Sequence, residues 1–286
     1  MSATIIDGKQ LSTSFKEKMK AQIVELQEKY GRKPCLAVII VGEDPASQSY
    51  VRGKIKAAAF VGMDSRLIEL PASISEEELL GHIADLNADG GVDGILVQLP
   101  LPKHIDSNKV IEAIVPMKDV DGFHPMNVAN LWLGLDSMVP CTPKGIMKII
   151  EAAGINPDGK TAVVVGRSNI VGKPVAKLLL DANATVTIAH THTPDLRSVA
   201  RQADILVVAA GSLGLVRGDM IKPGAIVIDV GIGRNAEGKL TGDVNFEEAS
   251  QVASYITPVP GGVGPMTITM LMENTIECFL NRMHSL

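Results

Sequence analysis

Thr161-Ala162-Val163-Val164-Val165-Gly166-Arg167-Ser168-Asn169-Ile170-Val171-Gly172-Lys173-Pro174 is the stretch that decides the fold. The valine run reads as a buried strand, Gly166 as a tight turn, and Gly172-Lys173-Pro174 as the opening of a helix. A strand, a glycine-bearing turn and a helix form the first half of a βαβ unit, whose turn sets backbone N–H groups and a helix N-terminus against phosphate. The usual dinucleotide fingerprint carries a glycine where Ser168 stands, so the match is partial, and such a turn also serves as mere connection. Further along, residues 185–189, 205–209 and 225–230 are again apolar strands separated by helix-like or turn-like segments. This part of the chain therefore reads as a doubly wound, Rossmann-like parallel sheet.

The second strand of that unit ends in His190-Thr191-His192 with no Asp or Glu. An NAD-type site places a carboxylate there on the ribose 2′-hydroxyl, and a carboxylate would repel a 2′-phosphate. With Arg167 and the Thr191 hydroxyl near that position, charge and hydrogen bonds suit NADP instead. His190 and His192 as a metal pair lack a carboxylate or thiolate to complete the set, so no metal is expected.

Before the strand lies the Pro-rich stretch Met138-Val139-Pro140-Cys141-Thr142-Pro143, followed by a helix over residues 144–153. A domain boundary near residue 140 follows, with a catalytic domain over 1–139 and a nucleotide domain over 140–265. The first half alternates in βαβ rhythm: a helix over 9–29, a strand over 36–41, a helix from Pro45 capped by Asp44, a strand over 66–70, a helix from Ser75 and a strand over 94–99. Ser75 and Glu78 make a capping box, and Gly90-Gly91 is expected to stop that helix. A last helix over 265–286, with Ile268, Leu271, Met272, Thr275 and Phe279 on one face, is expected to join the first domain. The whole is two α/β domains with an active-site cleft between them.

The chain has 286 residues, 46% hydrophobic and 21% charged, with a net charge of −5, which is a globular composition without a basic surface for nucleic acid or anionic membrane. Cys35, Cys141 and Cys278 are few, odd in number and far apart, which excludes a disulfide framework and reads as three small hydrophobes in a reducing compartment. The N-terminus shows no signal-peptide pattern, and no apolar run reaches the roughly 18 residues that span a bilayer. A cytoplasmic protein that handles small molecules is expected.

Tyr50 and Lys54 lie four apart on the helix from Pro45, so they share a face. Val51, Ile55, Ala58 and Ala59 follow core spacing, which puts Tyr50 and Lys54 at the border of that core. Gln98 ends the run Gly94-Ile95-Leu96-Val97, an amide at a strand's carboxyl end where ligands bind in such sheets. A free lysine has a pKa near 10.4, leaving about one in 2,500 neutral at pH 7, so service as a base requires burial or a nearby cation to lower it. Lys118-Asp119-Val120-Asp121-Gly122 brings two carboxylates that point to opposite sides if extended, so one faces the cleft. Thr257-Pro258-Val259-Pro260-Gly261-Gly262-Val263-Gly264-Pro265-Met266-Thr267 is a rigid loop ahead of a helix, suited either to hold a ligand with backbone N–H groups or to act as a hinge.

Taken together, Tyr50-x-x-x-Lys54-x-Lys56-Ala57, Val97-Gln98-Leu99-Pro100-Leu101-Pro102, Lys118-Asp119-Val120-Asp121-Gly122, Gly166-Arg167-Ser168-x-x-Val171-Gly172-x-Pro174 and the loop from Pro258 to Thr267 resemble the bifunctional methylenetetrahydrofolate dehydrogenase/methenyltetrahydrofolate cyclohydrolase family (FolD type). The likeness runs from about Ile6 to the end. It implies NADP-dependent oxidation of 5,10-methylenetetrahydrofolate and hydrolysis of the methenyl product to 10-formyltetrahydrofolate. By motif, Lys54 is the general acid/base, Gln98 bonds and tunes it, Tyr50 stacks on folate and Asp121 anchors the pterin. Pro260, Gly261, Gly262 and Pro265 border the folate, while Gly166, Arg167, Ser168, Thr191, Ile232 and Thr267 line the NADP site. The resemblance also implies a homodimer. The alternatives are a monofunctional dehydrogenase, an NAD-linked oxidoreductase of another substrate, and a folate or nucleotide binder without turnover.

Overall fold

The computed structural model describes residues 2–284. In chain order its elements are β1 (Thr4–Ile5), α1 (Gly8–Tyr30), β2 (Cys35–Val41), α2 (Pro45–Val61), β3 (Asp64–Leu70), α3 (Glu76–Ala88), β4 (Gly94–Val97), α4 (Ser107–Ala113), α5 (Pro125–Leu133) and α6 (Cys141–Ala152). They continue with β5 (Thr161–Val165), α7 (Gly172–Asp181), β6 (Thr185–Ala189), α8 (Leu196–Ala200), β7 (Ile205–Val208), β8 (Ile226–Asp229), β9 (Gly233–Arg234), β10 (Leu240–Thr241), α9 (Phe246–Ala249), β11 (Tyr255–Ile256) and α10 (Val263–His284). The chain divides into two compact units, Met1–Thr13 with Thr142–Thr267, and Ser14–Cys141 with Ile268–Leu286.

The first of these units is a six-stranded parallel sheet in the order β1-β11-β8-β7-β5-β6. It is the doubly wound sheet expected from the 161–174 stretch. Apolar strands hold its core, with Val163, Val165, Leu206, Val208, Val227 and Ile256 in one cluster. Strand β5 carries β6 on one side and β7 on the other, so the winding reverses there and opens a crevice at the carboxyl ends. Residues 2–13, expected from sequence in the other domain, group with this unit. Thr4 N–H donates to Ser254 O at 2.8 Å and Ile6 N–H to Ile256 O at 2.9 Å, which adds β1 to the sheet edge. A two-residue strand has no periodicity to read.

The other unit holds the three-stranded parallel sheet β3-β2-β4, in which β2 and β4 are buried throughout. The capping box forms as expected, with Glu78 N–H to Ser75 Oγ at 3.2 Å and Ser75 N–H to Glu78 Oε2 at 3.0 Å. The far end of α3 differs from expectation. Its cap is Asp89 at φ −71°, not a left-handed glycine. Buried Lys118 satisfies the carbonyls of Leu86, Asn87 and Asp89 at 2.7–2.8 Å, a cation on the negative end of the helix. Strand β4 stops at Val97, two residues short of the expected end, because Pro100 has no N–H to extend a ladder. Helix α10 is buried on more than the one face expected: Met270, Asn274, Ile276 and Cys278 are covered as well as Leu271, Met272, Thr275 and Phe279.

Candidate active site

Helix α2 starts at the Asp44 cap, whose carboxylate accepts from Ser47 N–H at 2.7 Å, and ends at left-handed Gly62. Its buried residues are Ser47, Val51, Ala57, Ala58 and Val61, whereas Ala59 is exposed. At about 100° per residue these five cover an arc of roughly 120°, and Lys54 falls at its middle rather than at its border. The core face is thus rotated from the one read in the sequence, towards Ala57 and Val61. Tyr50, one turn before Lys54, keeps 41% of its surface exposed.

Lys54 Nζ donates to Gln98 Oε1 at 2.9 Å. Gln98 sits just past β4, held by its own N–H to Ile39 O at 2.8 Å, and its Nε2 donates to Leu99 O at 2.6 Å. That second bond sets the amide: exchanging its oxygen and nitrogen would turn an NH2 group against the ammonium.

The two carboxylates after Lys118 separate as alternation requires. Asp119 is buried and accepts from Gly122 N–H at 3.1 Å, His124 N–H at 2.8 Å and Asn127 Nδ2 at 2.9 Å, so it shapes the turn. Asp121 shares a small cavity with Ile95, Val97, Leu99 and Phe123. Burial pushes its carboxyl up to about 6, against the downward pull of the Lys54 cation and with a smaller upward push from Asp119. Lys54, Gln98 and Asp121 are therefore brought together. Gly122 stands at φ +70°, and a Cβ there would lie 2.7 Å from Met138 O, so the turn requires glycine.

Asn274, fully buried on α10, escaped the sequence reading. Its Nδ2 donates to Val120 O at 2.8 Å and Val139 O at 2.9 Å, clamping the backbone next to Asp121. An Asn within a largely apolar helix carries no sign of this use. Cys141, expected to be a simple hydrophobe, also takes part, with its thiol 3.3 Å from Val120 O and 4.0 Å from Asp121 Oδ1.

In the other unit, Gly166 stands at φ +127°, and a Cβ there would overlap Ala209 O. A Cβ on Gly172 would overlap Gly166 O. Both glycines are needed for the turn to close. Ser168 ties the turn to the start of α7: its Oγ accepts from Val171 N–H at 3.2 Å and Gly172 N–H at 3.3 Å, and its carbonyl from Lys173 N–H at 3.0 Å. Arg167 and Thr191 are exposed at the ends of the adjacent strands β5 and β6, which Gly166 N–H joins by donating to Ala189 O at 2.9 Å. A closed glycine turn at the reversal of strand order, with a cation and a hydroxyl at its mouth, fits a phosphorylated dinucleotide. Gly172→Ala is expected to weaken dinucleotide binding about tenfold, close to 1.4 kcal/mol; titration with unchanged affinity would show that the turn tolerates a side chain.

Ile232, 50% exposed, follows β8, and Thr267 Oγ1 lies 3.0 Å from Thr142 Oγ1 in the first turns of α10. The loop before α10 is pinned to the start of α1 by Lys9 N–H to Gly261 O at 3.1 Å, with Gly261 at φ +110°. Pro260 is exposed there, Gly262 buried and Pro265 half-buried. The loop and Thr267 belong to the nucleotide unit. His192 N–H donates to His190 Nδ1 at 3.2 Å, and among the described residues no three His, Cys, Asp or Glu side chains are grouped to hold a metal ion.

Known proteins resemble the chain over nearly its whole length. Residues 6–121 match the catalytic domain of the tetrahydrofolate dehydrogenase/cyclohydrolase family, and residues 140–283 match that family's NAD(P)-binding domain. The chain is 59% identical over 273 residues to the bifunctional protein FolD of Listeria innocua, covering 96% of each. The structure is similar to that of a bifunctional FolD methylenetetrahydrofolate dehydrogenase/cyclohydrolase from Campylobacter jejuni, with a TM-score of 0.96 and 53% identity over 98% of this chain and 100% of that one. It is also similar to a Trypanosoma brucei FolD complexed with NADP and an inhibitor, with a TM-score of 0.95 and 42% identity over 99% of each. By its motifs, its fold and this likeness over nearly its whole length, the chain belongs to the tetrahydrofolate dehydrogenase/cyclohydrolase family.

Proposed function

We propose that this protein oxidises 5,10-methylenetetrahydrofolate with NADP and hydrolyses the methenyl product to 10-formyltetrahydrofolate. The observation that carries the reading is the 2.9 Å Lys54–Gln98 bond with the Asp121 carboxyl close enough to feel the Lys54 charge. Gln98 holds the Lys54 amine in one orientation. In its neutral form Lys54 is the general base that takes one proton from the attacking water, and the ammonium so formed returns it to the folate nitrogen as the carbon–nitrogen bond breaks, the second water proton passing to solvent as the formyl carbonyl forms. Asp121 accepts the N–H groups of the pterin edge, and Tyr50 lays its exposed ring on the folate. Pro260, Gly261, Gly262 and Pro265 border the substrate. Gly166, Arg167, Ser168, Thr191, Ile232 and Thr267 hold NADP, with Arg167 and Thr191 on the 2′-phosphate. Bound NADP supplies the acceptor for the hydride; the chain's own contribution to that step is proximity and orientation.

We further place the protein in the cytoplasm as a homodimer, on family likeness. No helix among the described residues is long and apolar enough to cross a membrane. The experiment that tests the reading is a paired cofactor assay. Methylenetetrahydrofolate with NADP is expected to give NADPH and then formyl product, and NAD to serve less well. Absence of reduced cofactor at saturating substrate overturns the dehydrogenase assignment, and equal use of NAD overturns the roles of Arg167 and Thr191.

A further inference from the structure

We infer that Asp243, backed by Asp229, is a positioning residue for the dinucleotide: two buried carboxylates fix the turn after β7 that walls the Gly166 loop. Asp229, at the end of β8, accepts from Gly231 N–H and Asp243 N–H through Oδ1, and from Val244 N–H through Oδ2, each at 3.0 Å. It thereby sets the backbone that carries Asp243. Asp243 in turn accepts from Ala210 N–H and Gly211 N–H, both at 2.7 Å and both through Oδ2. Those amides follow Ala209, whose N–H donates to Val165 O at 2.7 Å and whose carbonyl sits where a Cβ on Gly166 would be. The relay thus runs from the end of β8 through Asp243 to the end of β7 and then to the phosphate turn after β5.

Folding alone gives a poor reason for this arrangement. Among the described residues neither carboxylate forms an ion pair, Asp243 is fully buried, and its Oδ1 has no hydrogen-bond partner. A buried anion served only by backbone amides is a costly way to hold a loop. Two glycines make room for it: a Cβ on Gly231 would overlap the Asp243 carboxylate, and one on Gly242 the Asp229 carboxylate. What the arrangement secures is the direction of two successive peptide groups beside the dinucleotide turn.

The inference rests on NADP being the ligand of this unit, so the test measures NADP binding directly, by titration calorimetry on the full chain, alongside hydrolysis of methenyltetrahydrofolate without NADP. Asp243→Ala, which removes the acceptor of two charge-assisted bonds, is expected to raise the NADP Kd at least about tenfold. Asp243→Asn keeps a neutral acceptor and is expected to recover part of that loss, leaving Kd about threefold above the parent. NADP-free hydrolysis should be unchanged in both. Parent-like Kd in a folded Asp243→Ala overturns the inference, as does a parallel loss of NADP-free hydrolysis. If the alanine variant is insoluble, Asp243→Asn decides, and a parent-like Kd there overturns the inference. Failure of the parent itself to bind NADP would strike the cofactor assignment instead.

Discussion

Lys54→Met is expected to abolish hydrolysis of methenyltetrahydrofolate, by about a thousandfold or more, the range lost when a positioned acid/base group is removed. The fold should survive. Methionine matches lysine in helix propensity and nearly in length, and it replaces a cation at the middle of the buried arc of α2 with an apolar chain. NADP binding should be unaffected, since the phosphate turn belongs to the other unit. The decay of methenyl absorbance, read beside circular dichroism and an NADP titration, separates chemistry from folding. Hydrolysis at the parent rate in a folded variant removes Lys54 from the mechanism.

Asp121→Asn should do two opposite things. As the anchor of the pterin edge the carboxylate accepts charge-assisted bonds, so its loss is expected to weaken folate binding about a hundredfold. The same change should stabilise the folded protein at neutral pH. The Asp121 carboxyl is raised to about 6 by burial, above its ordinary value of 3.8. Between those two values the folded state binds more protons than the unfolded one. The contribution of Asp121 to stability therefore falls as pH rises from about 4 to about 6 and stays low above that. Asparagine does not titrate, so the variant's melting temperature should exceed the parent's by a few degrees at pH 7.5 and match it near pH 4. Carboxylates shifted the other way, such as Asp44, Asp204 and Glu248, are common to both proteins and cancel in the difference. A melting difference that grows towards low pH would contradict the buried-charge account; unchanged folate affinity would contradict the anchoring role.

Local signals were legible wherever the physics is local. The Asp44 cap, the Ser75–Glu78 capping box and the strand–turn–helix at 161–174 each depend on groups within a few residues of one another, and each forms as read. Errors arose where distant partners decide. Helix α2 turned Lys54 into its buried arc because Ser47, Ala57 and Val61 are the covered positions, which spacing alone did not distinguish from Ile55 and Ala59. The end of α3 is closed by Lys118, some 30 residues away, rather than by the adjacent glycines. Strand β1 exists only because β11 offers an edge.

The amino-acid sequence by itself determined the α/β class, the doubly wound sheet, the family and the residue types of the site, because period, caps and turn chemistry are written over short spans and five motifs recur in one order. Tertiary structure alone decided that Gln98 presents its oxygen to Lys54, that Asp119 shapes the turn while Asp121 is left with a raised pKa, and that Asn274 and Asp243 brace the two sites from behind. Orientation of an amide and desolvation of a carboxylate depend on atoms that meet only when remote segments pack, and no short stretch of sequence contains both partners.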